Sequence, residues 1–138
     1  MKLRFIPQSH LRHARALSLS SGLLLAGQAS AQLYWDSNAS STGFGNTTGT
    51  WGSSNFWNTS STGGTGTFST TTSSTDTVNF GTASTNYGNA SVGIASGGVT
   101  VNSITYGAGQ STAINLGTAG NSITLAGTTP TITVNRAG

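Results

Sequence analysis

In the C-terminal third of the chain, apolar residues recur in pairs two positions apart: Val99/Val101, Ile104/Tyr106, Ile114/Leu116, Ile123/Leu125 and Ile132/Val134. Side chains two apart project from the same face of a strand, so each pair predicts a short strand with one buried face. Gly, Asn or Pro lies between the pairs and supplies the turns. From Ile104 onward the pairs begin at intervals of 10, 9 and 9. A flexible Ser/Gly linker has no reason to keep such a rhythm. Asp76-Thr77-Val78-Asn79-Phe80-Gly81 predicts one strand more, the first regular one in the chain.

A longer period lies beneath this alternation. Asn102-Ser103-Ile104-Thr105-Tyr106-Gly107 matches Asn121-Ser122-Ile123-Thr124-Leu125-Ala126 at an offset of 19. With one residue dropped, Ala113-Ile114-Asn115-Leu116 then matches Thr131-Ile132-Thr133-Val134. Two strands and two turns in so short a unit is the size of one coil of a β-solenoid. Such coils bury an apolar face only by stacking on one another. The predicted fold is therefore all-β, a short, parallel β-helix-like solenoid over residues 76–138. An uncapped last coil would leave a row of unpaired backbone groups, so either further coils follow in a parent sequence or this end pairs with a partner.

Residues 32–75 have a different pattern. All three Trp of the chain fall here, in Tyr34-Trp35-Asp36, Thr50-Trp51-Gly52 and Phe56-Trp57-Asn58, separated by polar stretches. Ser69 to Thr75 is entirely Ser and Thr. Two readings fit. Trp35, Trp51 and Trp57 close the N-terminal end of the stack as an aromatic cap, or they form an exposed platform for sugar rings.

The head of the chain has the parts of a secretory signal peptide. Lys2, Arg4, Arg12 and Arg15 precede an apolar run from Ala16 to Ala26, which leads to Ala29-Ser30-Ala31, a small-residue A-x-A exit. That run is well short of the roughly 20 residues that a spanning helix needs. Residues 1–31 are expected to be removed after Ala31, with Ala29 and Ala31 as the cleavage-site residues. No membrane span is expected after that removal, and the chain should be secreted or displayed on a bacterial cell surface.

Charge changes the picture once the head is set aside. The whole chain sums to +3, but residues 32–138 carry only Asp36, Asp76 and Arg136, a net of −1. No basic footprint for nucleic acid remains. Cys is absent, so no disulfide framework holds the fold. Thr, Ser, Gly and Asn supply well over half of that stretch, and no His, Lys or Glu occurs in it. Without a base the hydroxyls cannot be activated as nucleophiles. Asp36 and Asp76, far apart in the sequence, are a poor basis for paired-carboxylate chemistry or a repeated Ca²⁺ loop. No catalytic residue, cofactor or metal is expected, and the chain is not expected to be an enzyme. Gly43-Phe44-Gly45 and Gly63-Gly64-Thr65-Gly66 lack a following helix with Lys, so they are expected to form β-turns rather than phosphate loops.

The order of Trp35-Asp36, Gly49-Thr50-Trp51, Asn55-Phe56-Trp57, Asp76-Thr77-Val78-Asn79-Phe80-Gly81 and Val99-Thr100-Val101-Asn102-Ser103-Ile104-Thr105-Tyr106 resembles bacterial proteins with autotransporter-associated β-strand repeats. The resemblance runs over most of residues 33–135, through short motifs. It implies an exported surface passenger built as a right-handed β-helix, serving as stalk or adhesin. The sequence departs from the pattern at Asn55-Phe56-Trp57, where an extra residue separates Asn from Trp, and it contains no terminal membrane barrel.

The expected function is that of an exported, non-catalytic structural or adhesive module. Its partners would be surface glycans, or further copies joined through the open C-terminal coil. A carbohydrate-binding module or part of a β-helical polysaccharide-active protein is the first alternative, with Trp35, Trp51 and Trp57 as glycan contacts. A self-assembling β fibre subunit is the second, since the strands are β-prone and nearly uncharged.

Overall fold

The computed structural model describes residues 29–45, 48–85 and 89–135. Among them are eleven strands and no helix. Before residue 76 lie β1 (Gln32–Trp35), β2 (Gly49–Trp51), β3 (Trp57–Asn58) and β4 (Phe68–Ser69). They are followed by β5 (Thr77–Phe80), β6 (Ala90–Ile94), β7 (Val99–Val101), β8 (Ser103–Tyr106), β9 (Ile114–Leu116), β10 (Ile123–Leu125) and β11 (Thr131–Val134). The chain is all-β. Each alternating apolar pair of the C-terminal third sits on a strand.

Three sheets form. The largest is mixed, with the order β11-β8-β5-β1-β3-β4. From β11 to β1 its neighbours run parallel, and β3 and β4 join beyond β1 in antiparallel pairs. The second sheet, β2-β6-β9, and the third, β10-β7, are parallel throughout. Since β1 pairs with β5 and β2 with β6, the segment before residue 76 shares its sheets with the segment after it.

The registers correct the short repeat unit read from the sequence. Thr77 lies opposite Ser103, an offset of 26, and Ser103 opposite Thr131, an offset of 28. Ala90 faces Ile114 and Val99 faces Ile123, both at an offset of 24. Ile104 therefore faces Ile132, and Ile123 faces Val99. The offset of 19 joins β8 to β10, which belong to different sheets. Both follow an Asn at a corner and alternate in the same way, so similar local chemistry imitated a stacking repeat. Nor is β5 the first strand, because β1 and β2 come earlier and pair parallel to β5 and β6.

Alternation decides which side chains enter the core. Leu33 and Trp35 of β1, Val78 and Phe80 of β5, Val92 and Ile94 of β6, Val101 and Ile104 are buried together with Phe44, Trp51 and Trp57. Burial fades along one row of paired residues. Leu33, Val78 and Ile104 are buried, whereas Ile132, next in the row, is 60% exposed. At the corners polar side chains take over where the ladders stop. Thr118 Oγ1 accepts from Ile94 N at 2.8 Å, and Asn121 Nδ2 donates to the Ile94 carbonyl at 2.7 Å. A buried backbone group left without a partner would cost about 1–3 kcal/mol, which is why Thr and Asn are useful there.

Glycine matters where backbones touch. Gly107 follows β8 directly beneath the Gly81–Thr82 corner, and a Cβ on it would lie 2.6 Å from the Gly81 carbonyl carbon. Only a residue without a side chain lets the two corners stack.

Candidate functional site

The densest chemistry in the molecule lies around β1, β2 and β3. Alternation along Gln32–Trp35 sends Leu33 and Trp35 inward and leaves Gln32 and Tyr34 on the other face. Trp35, Trp51 and Trp57 are 2%, 0% and 0% exposed. Trp57 meets Trp35 edge-on at 5.0 Å between ring centroids and meets Trp51 edge-on at 5.0 Å. Phe56 packs edge-on against Trp35 at 5.3 Å, and Phe80 against Trp57 at 5.4 Å. Edge-to-face pairs of this kind stabilise by about 0.5–1.5 kcal/mol each beyond their burial.

This placement corrects the glycan-platform reading of Trp35, Trp51 and Trp57. A sugar stacks on an exposed ring face, and these rings are buried edge-to-face against one another. The structure brings the three together as packing.

The indole N–H groups are treated unequally. Trp51 Nε1 donates to Thr72 Oγ1 at 3.1 Å, and the Thr72 hydroxyl donates onward to the Thr100 carbonyl at 2.6 Å. Trp57 Nε1 is buried without a hydrogen-bond partner.

Directly after β1, Asp36 is fully buried. Its Oδ2 accepts from Asn58 Nδ2 at 2.7 Å and from Gly64 N at 3.1 Å, and its Oδ1 accepts from Asn38 N at 3.3 Å. Asn58 also donates to the Gly64 carbonyl at 3.1 Å and accepts from Ser60 N at 3.0 Å. These bonds fasten the 60–64 turn to the start of the largest sheet. Gly63, with φ +73°, bridges to Thr42 and Gly43, and a Cβ there would collide with the Gly43 carbonyl. The two glycine clusters thus form paired turns.

Asp76 sits just ahead of β5. Its Oδ2 accepts from Ser73 N at 2.7 Å and Ser73 Oγ at 2.9 Å. Its Oδ1 accepts from Ala31 N at 3.3 Å, and the Ala31 carbonyl accepts from Thr77 N at 2.9 Å. The two Asp lie in separate hydrogen-bonded turns, and each is occupied by amide or hydroxyl donors. Ala29 and Ala31 fall within the described residues, while residues 1–28, with the basic head and apolar run, lie outside them.

One surface feature was not anticipated. A groove of about 550 Å³ crosses the outer side of the largest sheet, and its lining includes Tyr34, Asn79, Thr105, Ser84 and Asn135. Tyr34 is opposite Asn79, and Asn79 opposite Thr105, so these three form one column across β1, β5 and β8. The Tyr34 ring stacks on Phe44 at 5.9 Å. Asn79 Nδ2 is held by Gln32 Oε1 at 2.9 Å and the Leu33 carbonyl at 3.1 Å. The groove is lined by uncharged residues, hydroxyl and amide side chains alternating with Gly and Ala. Gln32, Tyr34, Thr77 and Asn79 occupy the alternate positions of apolar strands, a signal present in the sequence once both β1 and β5 are recognised.

Among the described residues no group of three or more His, Cys, Asp or Glu gathers in a way that could hold a metal ion, and no helix is long and apolar enough to cross a membrane. Burial pushes the Tyr106 hydroxyl above its ordinary pKa, because the phenolate would be poorly solvated there. Compared with known proteins, the chain matches no family model, no curated protein and no solved structure.

Proposed function

We propose that the chain is an exported, non-catalytic structural or adhesive module whose strands wind as a short β-solenoid behind an aromatic cap. The observation that carries this reading is the set of registers. From β5 to β11 every pairing is parallel and joins a strand to one further along the chain, at offsets between 24 and 28. A chain laying down three strands per turn accounts for all of these pairings. β5, β6 and β7 make one turn, β8, β9 and β10 the next, and β11 opens another. β1 and β2 belong to an earlier turn, lengthened because residues 53–75 cross its end as β3 and β4. In this arrangement Trp35, Trp51 and Trp57 fill the interior where the stack begins, which is the role of a cap.

From β5 onward most outer positions are Thr, Ser and Asn, which suit a solvated strand surface. Many weak contacts along such a surface add through multivalency. The basic head, apolar run and Ala29-Ser30-Ala31 exit support secretion or surface display, and the resemblance to autotransporter-associated repeat proteins supports a passenger-like role. The occupation of both Asp by neutral donors supports a non-catalytic reading.

Expression of the full chain in a bacterium, followed by fractionation and N-terminal sequencing, tests the export step. The expected product lies outside the inner membrane and begins at Gln32. A chain retained in the cytoplasm with its head intact would overturn export.

The groove beside Tyr34 favours carbohydrate binding as a second reading. Neutral hydroxyl and amide groups beside a half-buried ring suit an uncharged sugar chain. A glycan array probed with the processed chain and with Tyr34→Ala should then show binding that the substitution removes. Binding unaffected by Tyr34→Ala would reject this groove.

A further inference from the structure

The bond proposed to be cut on export lies at a corner of the fold. Ala29 and Ser30 are exposed, Ala31 is half-buried against the core, and β1 begins at Gln32. β1 and β5 run parallel with Gln32 opposite Thr77, so Ala31 comes beside Asp76. Ala31 N donates to Asp76 Oδ1 at 3.3 Å, and Thr77 N donates to the Ala31 carbonyl at 2.9 Å. Removal of residues 1–31 takes both bonds away. Hydrolysis of the Ala31–Gln32 amide puts a hydroxyl on the departing Ala31 carbonyl carbon and leaves the nitrogen on Gln32 as an amine, largely protonated at neutral pH.

We propose that Asp76 receives this new N-terminus: in the processed chain the Gln32 α-ammonium takes the carboxylate edge that Ala31 N holds in the precursor, and ties the start of β1 to the head of β5. Register comes first. Gln32 N lies one residue beyond Ala31 N, a step of at most about 3.3–3.6 Å along an extended chain, and a terminal amine is free to swing back. Charge points the same way. No Lys, Arg or His occurs among the described residues, so Asp76 has no cationic side chain to pair with there. Its Oδ2 is taken by Ser73 N at 2.7 Å and Ser73 Oγ at 2.9 Å, whereas Oδ1 has the longer bond from Ala31 N. An ammonium on a carboxylate makes a shorter and stronger bond than a neutral amide does. The corner is also fixed in advance. Asp76 N donates to the Ser73 carbonyl at 3.1 Å, and the Asp76 carbonyl accepts from Asn102 N at 2.9 Å and Ser103 N at 3.2 Å. A carboxylate already held in place takes an amine at little ordering cost. Asp36 does not compete, since it is fully buried among Asn58, Gly64 and Asn38.

The capture rests on the export reading above, and in particular on cleavage after Ala31. A double cycle on the processed chain tests it. Chains beginning at Gln32, with Asp76 or with Asp76→Asn, are compared with free and acetylated N-termini by urea unfolding, each sample checked for its β spectrum. Mass spectrometry confirms that Gln32 has not closed on its own side-chain amide, which would expel ammonia and neutralise the amine. Acetylation should raise the unfolding constant of the Asp76 chain about two- to fivefold and leave that of Asp76→Asn unchanged. A chain beginning at Ser30 gives a control without substitution: Ala31 N keeps its place on Asp76, the ammonium stands two residues away, and acetylation should have no effect. Equal effects of acetylation with Asp76 and with Asn, or in the chains beginning at Gln32 and at Ser30, overturn the capture. Should Asp76→Asn lose its β spectrum, the Ser30 comparison decides alone. An exported chain that begins at a residue other than Gln32 overturns the cleavage position instead, a failure separate from an additive cycle.

Discussion

Two indoles in the same cluster make opposite use of their polar edge. Trp51 and Trp57 are equally buried and meet each other edge-on, yet only Trp51 has an N–H partner, the Thr72 hydroxyl. Replacing either ring by Phe leaves a cavity of similar size. Trp51→Phe also strips Thr72 of a donor, whereas Trp57→Phe removes an N–H buried without a partner. An unpaired buried polar group costs about 1–3 kcal/mol. Trp57→Phe should therefore destabilise less than Trp51→Phe, by about 1 kcal/mol, read from the two urea midpoints at constant slope. Equal losses would mean that the Thr72 bond contributes nothing. Truncating either Trp to Ala should cost about 3–5 kcal/mol.

At the level of strands, position in the row sets the value of a side chain. Ile104 and Ile132 are paired neighbours with the same residue type, and only Ile104 is covered from both sides. Ile104→Ala should cost about 2–5 kcal/mol, while Ile132→Ala should cost under about 1 kcal/mol, since the transfer and cavity terms both shrink with exposure. Denaturant unfolding at low protein concentration separates them. Backbone exchange should follow the same gradient, slowest in β5 and β1 and fastest in β11, because a strand with one free edge opens without breaking a second ladder. Uniform protection across all three strands would contradict this account.

For the molecule as a whole, formal charges are few after residue 31, and one phenol gives a pH dependence. Burial raises the Tyr106 pKa in the folded state above the unfolded value. Folded Tyr106 thus keeps its proton when the unfolded chain has begun to lose its own. Its contribution is fully present below the unfolded pKa, about 10, and is lost as pH rises through the folded value. Stability should be level through neutral pH and fall above about pH 10, with Tyr106→Phe flattening that fall; thermal melts at stepped pH measure it. Salt should do little between dilute buffer and about 1 M NaCl, where screening reaches roughly 3 Å, because Asp36, Asp76 and Arg136 are the only formal charges on the side chains after residue 31.

The sequence determined the strands of the C-terminal third, because an inward row needs an apolar residue at every second position and Val99/Val101 through Ile132/Val134 state that directly. It also determined the poverty of acid, base and nucleophile, which is a matter of composition alone. The true spacing was legible too. Asp76-Thr77-Val78-Asn79-Phe80-Gly81 matches Asn102-Ser103-Ile104-Thr105-Tyr106-Gly107 class by class, and those segments are hydrogen-bonded neighbours. The offset of 19 competed with it because corner Asn and alternating aliphatics recur on every face. Only the tertiary structure decided which strands pair, since pairing depends on where the turns point the chain, and turn direction lives in backbone angles at residues such as Gly81 and Gly98. It alone decided the fate of the tryptophans. Whether an aromatic ring packs or presents its face is fixed by what lies across from it, and Trp35, Trp51 and Trp57 lie across from one another and Phe80.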